Sequence, residues 1–183
     1  PKFAMYWAAS CGGCEIAVLN THEKILDVDA NFDVVFWPVA MDAKYKDVEA
    51  MEDGSILLTL FNGGIRNDEN EHIAKLLRQK SKILVAFGSC ACEGCIPGLA
   101  NLSPAGDIVR TAFNTLTTDN PHEIYPRTTY DVPEGELHIP TLSKTLRPLG
   151  EVVDVDYFMP GCPPESHQIA AVIDLVIQVV KGE

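Results

Sequence analysis

The sequence predicts an α/β fold, an open parallel sheet with helices on both faces. Three observations predict it. Short apolar runs alternate with segments of helical period. The 183 residues are 46% hydrophobic, enough for a real core. No internal repeat, low-complexity tract or break in composition marks a second domain.

Taken in order, residues 2–8 read as the first strand. Residues 15–26 follow as a helix with Ile16, Leu19 and Leu26 near one face, and residues 33–37 as a second strand stopped by Pro38, a βαβ crossover. Residues 55–61 are a third strand running into Asn62-Gly63-Gly64. Asn67 then caps a helix whose stripe is Ile73, Leu76 and Leu77, above acidic first-turn residues. Residues 82–87 form a fourth strand, and residues 103–115 a helix with Ser103 as cap and Pro104 in its first turn. Residues 152–159 form the fifth strand. The last helix begins around Pro163-Pro164 and spaces Ile169, Val172, Ile173, Val176 and Val180 by three and four. Between residues 116 and 150, Pro121, Pro126, Pro133, Pro140 and Pro148 preclude a long regular element in a stretch too long for an ordinary connector. This stretch reads as an excursion or partner-binding arm on a single flavodoxin-like domain spanning residues 1–183.

Charge narrows the partners. Fourteen Lys and Arg against 26 Asp and Glu leave a net charge of −12, which disfavours nucleic acid and anionic membrane surfaces alike. No apolar run approaches the roughly 18 to 20 residues of a spanning helix; residues 169–180 come nearest and are interrupted by Asp174 and Gln178. No direct membrane insertion is expected, and the N-terminus carries no export-signal pattern. The expected location is the cytoplasm.

The six cysteines are too few for a disulfide scaffold and are bunched: Cys11 and Cys14, then Cys90, Cys92 and Cys95, then Cys162. Cys11 and Cys14 follow the first strand, Cys90 the fourth and Cys162 the fifth. Loops at the carboxyl ends of parallel strands converge on one edge, so four thiols should meet there. Four thiolates can hold a zinc ion or a [4Fe–4S] cluster, and spacing alone does not choose. Glycines at Gly12, Gly13, Gly88, Gly94 and Gly161 favour the bulkier cluster by permitting close backbone approach.

At Cys11-Gly12-Gly13-Cys14, Gly88-Ser89-Cys90-Ala91 and Pro160-Gly161-Cys162-Pro163-Pro164, the chain resembles the small, electron-transferring subunit of [NiFe] hydrogenases and its relative, the 20 kDa subunit of complex I. The soluble methyl-viologen or F420-non-reducing type fits best. The resemblance implies that Cys11, Cys14, Cys90 and Cys162 ligate a proximal [4Fe–4S] cluster facing a large subunit that houses the nickel–iron centre, with further iron–sulfur or flavin subunits downstream. Catalysis then belongs to the assembly. The complex I relative has adjacent cysteines at the first site, whereas two glycines separate them here, so the hydrogenase branch fits better than a quinone-directed or membrane-hydrogenase module. The family often carries an acidic residue where this chain has Asn62, and no cysteine group follows Cys162, so one cluster is the expected maximum.

Other residues have plainer readings. Cys92 and Cys95 are expected to be thiols beside the site. Glu15 suits a helix N-terminus, His167 an exposed first turn, and Trp7 and Trp37 the core or an interface. Ser10 and Ser89 flank cysteines and can donate to cluster sulfur. A flavin-binding reading lacks the Ser/Thr-rich phosphate cradle after the first strand.

Overall fold

The structure, a computed structural model, describes residues 1–115 and 117–182. In chain order its elements are β1 (Lys2–Trp7), α1 (Gly13–Leu19), α2 (Lys24–Asn31), β2 (Asp33–Phe36), α3 (Tyr45–Glu49), β3 (Ile56–Asn62), β4 (Ile65–Asn67), α4 (Asp68–Lys80), β5 (Ser81–Phe87), α5 (Ser89–Glu93), α6 (Cys95–Gly98), α7 (Ala105–Phe113), β6 (Thr129–Val132), β7 (Gly135–His138), β8 (Leu142–Arg147), β9 (Tyr157–Met159) and α8 (Ser166–Lys181). Five parallel strands pair in the order β2-β1-β3-β5-β9, the flavodoxin-like sheet expected from the sequence.

Side-chain alternation explains why both faces are covered. Along β1, Phe3 and Met5 enter one core and Ala4 and Tyr6 the other. The first core is closed by Val18 of α1, Val28 of α2, and Ile169 and Ile177 of α8. The second is closed by Ile73, Ala74 and Leu77 of α4. Helix α4 starts where expected, since Asn67 Oδ1 accepts the Asn70 N–H at 2.7 Å.

Several boundaries differ from the expectation, each for a local reason. The helix over 15–26 divides into α1 and α2, because Thr21 Oγ1 donates to the Val18 carbonyl at 2.6 Å and His22 adopts φ 54°, turning the chain. The helix over 103–115 shortens to α7, with no side-chain cap. The fifth strand shrinks to β9, preceded by a 3₁₀ turn at Leu149–Glu151. Helix α8 starts two residues after Pro164, its Glu165 N–H donating to Gln168 Oε1 at 3.3 Å. The arm begins at Leu116, which lies outside the described residues. It contains short elements the sequence did not suggest: β6 and β7 form a hairpin, and β8 returns to pair antiparallel with β4. Leu146 of β8 is buried against Gly64. No helix among the described residues is long and apolar enough to cross a membrane.

One charged group ties the last strand to the sheet. Asp156 accepts the Leu84 N–H at 2.7 Å and Arg78 Nη1 at 2.5 Å, while its own N–H donates to the Leu84 carbonyl at 3.0 Å. Burial alone would raise the Asp156 carboxyl, but Arg78 and the Leu84 N–H outweigh it and hold it below the usual carboxylate range. A lowered folded-state value gives stability that is fully present above the unfolded value of about 3.9 and lost as pH falls through the folded one. Asp156→Asn is therefore expected to lower stability at neutral pH and flatten the acid limb of an unfolding-midpoint profile; an acid limb of unchanged slope contradicts this role.

Candidate metal centre

The site begins as a row of strand ends. Trp7 pairs with Asn62, Asn62 with Phe87, and Phe87 with Met159, so β1, β3, β5 and β9 finish in line. Adjacent strands are about 4.8 Å apart, and the loops that follow start side by side. They are also stitched together. Ala9 and Gly64 exchange both backbone hydrogen bonds at 3.0 Å; Gly88 N–H donates to the Met159 carbonyl and Ser89 N–H to the Gly161 carbonyl, each at 2.8 Å. Ser89 Oγ accepts the Gly161 N–H at 3.1 Å, and Ser10 Oγ accepts the Gly12 N–H at 3.2 Å. The two serines thus hold the loops in shape, beyond the donor role expected of them.

These loops bring the four expected cysteines together. Cys14 on α1 and Cys90 on α5 are buried, whereas Cys11 and Cys162 are exposed, so the group has an inner wall and an open side. Burial pushes the Cys14 thiol up to about 12, with further contributions from Cys90, Cys11, Cys162 and Cys92. Burial likewise pushes Cys90 up to about 11, aided by Cys95, Cys162 and Cys11. Cys162 is raised by Cys95 and, more weakly, by Cys11. Every pair among Cys11, Cys14, Cys90 and Cys162 is therefore close enough for one thiolate to oppose the other. Four such charges cannot coexist there without a cationic group, and binding one must displace the protons.

Gly88 shows how tightly the backbone approaches. Its φ of 84° and ψ of 157° belong to a region essentially restricted to glycine, and a Cβ there would lie 2.3 Å from Cys14 Sγ. All-sulfur donors beside a backbone without side-chain bulk suit a thiolate-bound iron–sulfur group. Cys11, Cys14, Cys90 and Cys162 lie where they could hold such a group.

The two extra cysteines part ways. Cys92 Sγ donates to the Ala86 carbonyl at 3.4 Å and packs on the core, while staying near enough to Cys14 to oppose its ionisation weakly. Cys95, at φ 43°, reaches both Cys90 and Cys162. The helix period holds the signal for Cys92: two residues on from Cys90 is about 200° around α5. No sequence signal marks the fold-back of Cys95.

Glu15 is more than an N-terminal charge. It is buried, its Oε2 accepts Trp37 Nε1 at 3.3 Å, and its Oε1 has no partner; burial raises its carboxyl and the Trp37 bond partly opposes that. Trp37 is accordingly a core residue, Trp7 is half exposed, and His167 lies on the surface. Asn62, noted from the sequence only as standing where the family often has an acidic residue, is fully buried with neither amide atom partnered. Its position two residues after Leu60 on an apolar strand was the available signal.

A family described as NADH ubiquinone oxidoreductase, 20 Kd subunit, matches residues 11–176. The F420-non-reducing hydrogenase iron-sulfur subunit of Archaeoglobus profundus is 43% identical over 96% of this chain and 56% of its own length. An F420-non-reducing hydrogenase subunit of Methanothermobacter marburgensis is 39% identical over 100% of this chain and 54% of its own. The chain thus spans about half the length of these curated relatives. Among solved structures, a chain of the NAD+-reducing [NiFe]-hydrogenase in the H2-reduced state is similar with a TM-score of 0.80 and 25% identity, over 100% of this chain and 92% of that one.

The geometry makes Gly88→Ala a sensitive probe. Backbone strain alone should cost about 1–3 kcal/mol, and the contact with Cys14 Sγ adds to it. A lower denaturation midpoint of the iron-free, reduced protein is the expected outcome, and an unchanged midpoint contradicts the close approach.

Proposed function

The chain belongs to the NADH ubiquinone oxidoreductase 20 Kd subunit family, and from that membership we propose that it is the electron-transfer small subunit of a [NiFe] hydrogenase-like complex, with one [4Fe–4S] cluster on Cys11, Cys14, Cys90 and Cys162. The observation that carries the reading is the mutual approach of those four thiols at the carboxyl edge. When bound, such a cluster takes up and releases single electrons. The chain's own residues bind and shield it. Cys14 and Cys90 form the buried wall, the stitched loops fix their positions, and Cys11 and Cys162 face the open side. Zinc has less support, since the relatives this chain resembles include a hydrogenase iron-sulfur subunit.

The open side is where an electron partner must sit. Trp7, Ile96 and Leu99, each close in sequence to Cys11 or Cys95, expose apolar surface beside it, as expected of the apolar centre of a subunit interface. We read the partner as a large subunit housing the nickel–iron centre, with further iron–sulfur or flavin subunits carrying electrons onward. In this reading the whole chain is one domain whose arm extends the contact, H2 oxidation or formation belongs to the complex, and its place is the cytoplasm, where six free cysteines persist. The alternative of a complex I-like or membrane-hydrogenase-like subunit handing electrons to quinone or a membrane partner has less support, because Gly12 and Gly13 separate Cys11 from Cys14.

Alanine variants test the ligand set. In anaerobically purified protein, Cys11→Ala, Cys14→Ala, Cys90→Ala and Cys162→Ala should each lose or convert the iron–sulfur absorbance, while Cys92→Ala keeps wild-type iron and sulfide of about four each per chain. Loss of the absorbance in Cys92→Ala, or zinc in place of iron in the wild type, contradicts the reading.

A further inference from the structure

Asn62 closes β3 and is completely buried, yet neither Oδ1 nor Nδ2 has a hydrogen-bond partner. Its backbone is accounted for, because its carbonyl accepts the Ala8 N–H at 2.7 Å. A buried primary amide with nothing to bond to is among the costlier groups a core can hold. Buried polar groups are nearly always paired, so an orphan of this kind points to a partner that is not part of the protein chain.

The strand places that partner. Leu58 and Leu60 of β3 belong to the core that also contains Cys14, Val85 and Phe87, whereas Phe61 belongs to the opposite one. With side chains alternating every residue, Asn62 shares the face of Leu60 and hence of Cys14. Register sets it between Trp7 and Phe87. The residue after Phe87 is Gly88, where an added Cβ would lie 2.3 Å from Cys14 Sγ. The unsatisfied amide therefore lies at the same edge and on the same face as the buried wall of the thiol group.

We propose that Asn62 is a positioning and tuning residue, its side-chain N–H donating to sulfur of the group held by Cys11, Cys14, Cys90 and Cys162 and raising that group's reduction potential. This inference rests on the iron–sulfur reading above. An amide offers two N–H donors, and cysteinate or sulfide sulfur is an anionic acceptor. Among the described residues the four thiols take a backbone hydrogen bond only at Cys11, from the Gly13 N–H at 3.4 Å. Reduction adds negative charge to the sulfurs, so a donor fixed against them stabilises the reduced form more than the oxidised one. Because Asn62 is buried in the sheet and not on a loop, the donor is held at fixed orientation and is not replaced by water.

EPR-monitored redox titration of the anaerobic holo-protein tests it. Asn62→Leu, of similar size and without donors, should lower the midpoint potential, so that at the wild-type midpoint the reduced-to-oxidised ratio falls severalfold. Asn62→Ser, which restores one donor, should fall between the two. Thr59→Val removes a buried hydroxyl that bonds Ser81 Oγ at 2.6 Å on the same strand and should leave the potential unchanged, separating tuning from general damage to β3. A wild-type potential in Asn62→Leu with full iron content overturns the assignment. Should Asn62→Leu fail to hold iron, wild-type protein labelled with side-chain 15N asparagine decides the matter: pulsed EPR of the reduced protein should show a nitrogen coupling, and its absence overturns the assignment. Zinc in wild-type protein in place of iron instead overturns the iron–sulfur reading itself.

Discussion

The register that lines up Trp7, Asn62, Phe87 and Met159 is the constraint on which the site depends. A thiol on any one of these loops is positioned only as well as the loops are positioned relative to one another. Parallel strands finishing in line settle that over three strand spacings before any loop residue contributes. The Ala9–Gly64 and Gly88–Met159 hydrogen bonds then carry the alignment past the sheet edge. A slip of one residue in β5 would exchange the cores of Leu84 and Val85 and move Cys90 away from Cys14, so the same apolar patterning that specifies the sheet also specifies the thiol group.

Against this ordered frame the site is a concentration of unfavourable terms. Cys14 and Cys90 are buried thiols whose ionisation is opposed both by desolvation and by their neighbours. Gly88 occupies a backbone region closed to other residues. Glu15 Oε1 and both amide atoms of Asn62 are buried without partners. Each is tolerable because two continuous cores on either side of the sheet hold the surroundings in place; in the proposed reading a bound iron–sulfur group would relieve the crowding of the thiols and the unpaired amide of Asn62. Buried thiols, a glycine-only backbone conformation and unsatisfied polar atoms meet at this edge, although Ser55 Oγ and Arg66 Nη1 are also buried without partners and His22 and Glu123 also adopt positive φ.

Much of this was legible in the chain. The sheet strands were visible as apolar runs, Asn67 as a cap, and the convergence of Cys11, Cys14, Cys90 and Cys162 as a consequence of parallel topology. What escaped depended on contacts remote in sequence or on single dihedral angles. The β4–β8 pairing joins residues some eighty positions apart, and nothing local announces it. The break between α1 and α2 turns on His22 adopting φ 54°. The approach of Cys95 to the site follows from the turn at Gly94, φ 91°, and from its own positive φ, whereas the inward turn of Cys92 was implicit in helix geometry. Asn62 read as the end of a strand, standing where the family often has an acidic residue; only the register shows it sealed among the strand ends.

Diffraction at the iron absorption edge, on crystals of anaerobically purified protein, tests the central claim most directly. Anomalous density is expected within bonding reach of Cys11, Cys14, Cys90 and Cys162 Sγ, as one compact cluster at the carboxyl edge of β1, β5 and β9. Iron density located elsewhere on the chain, or a single peak there at the zinc edge, would contradict the account.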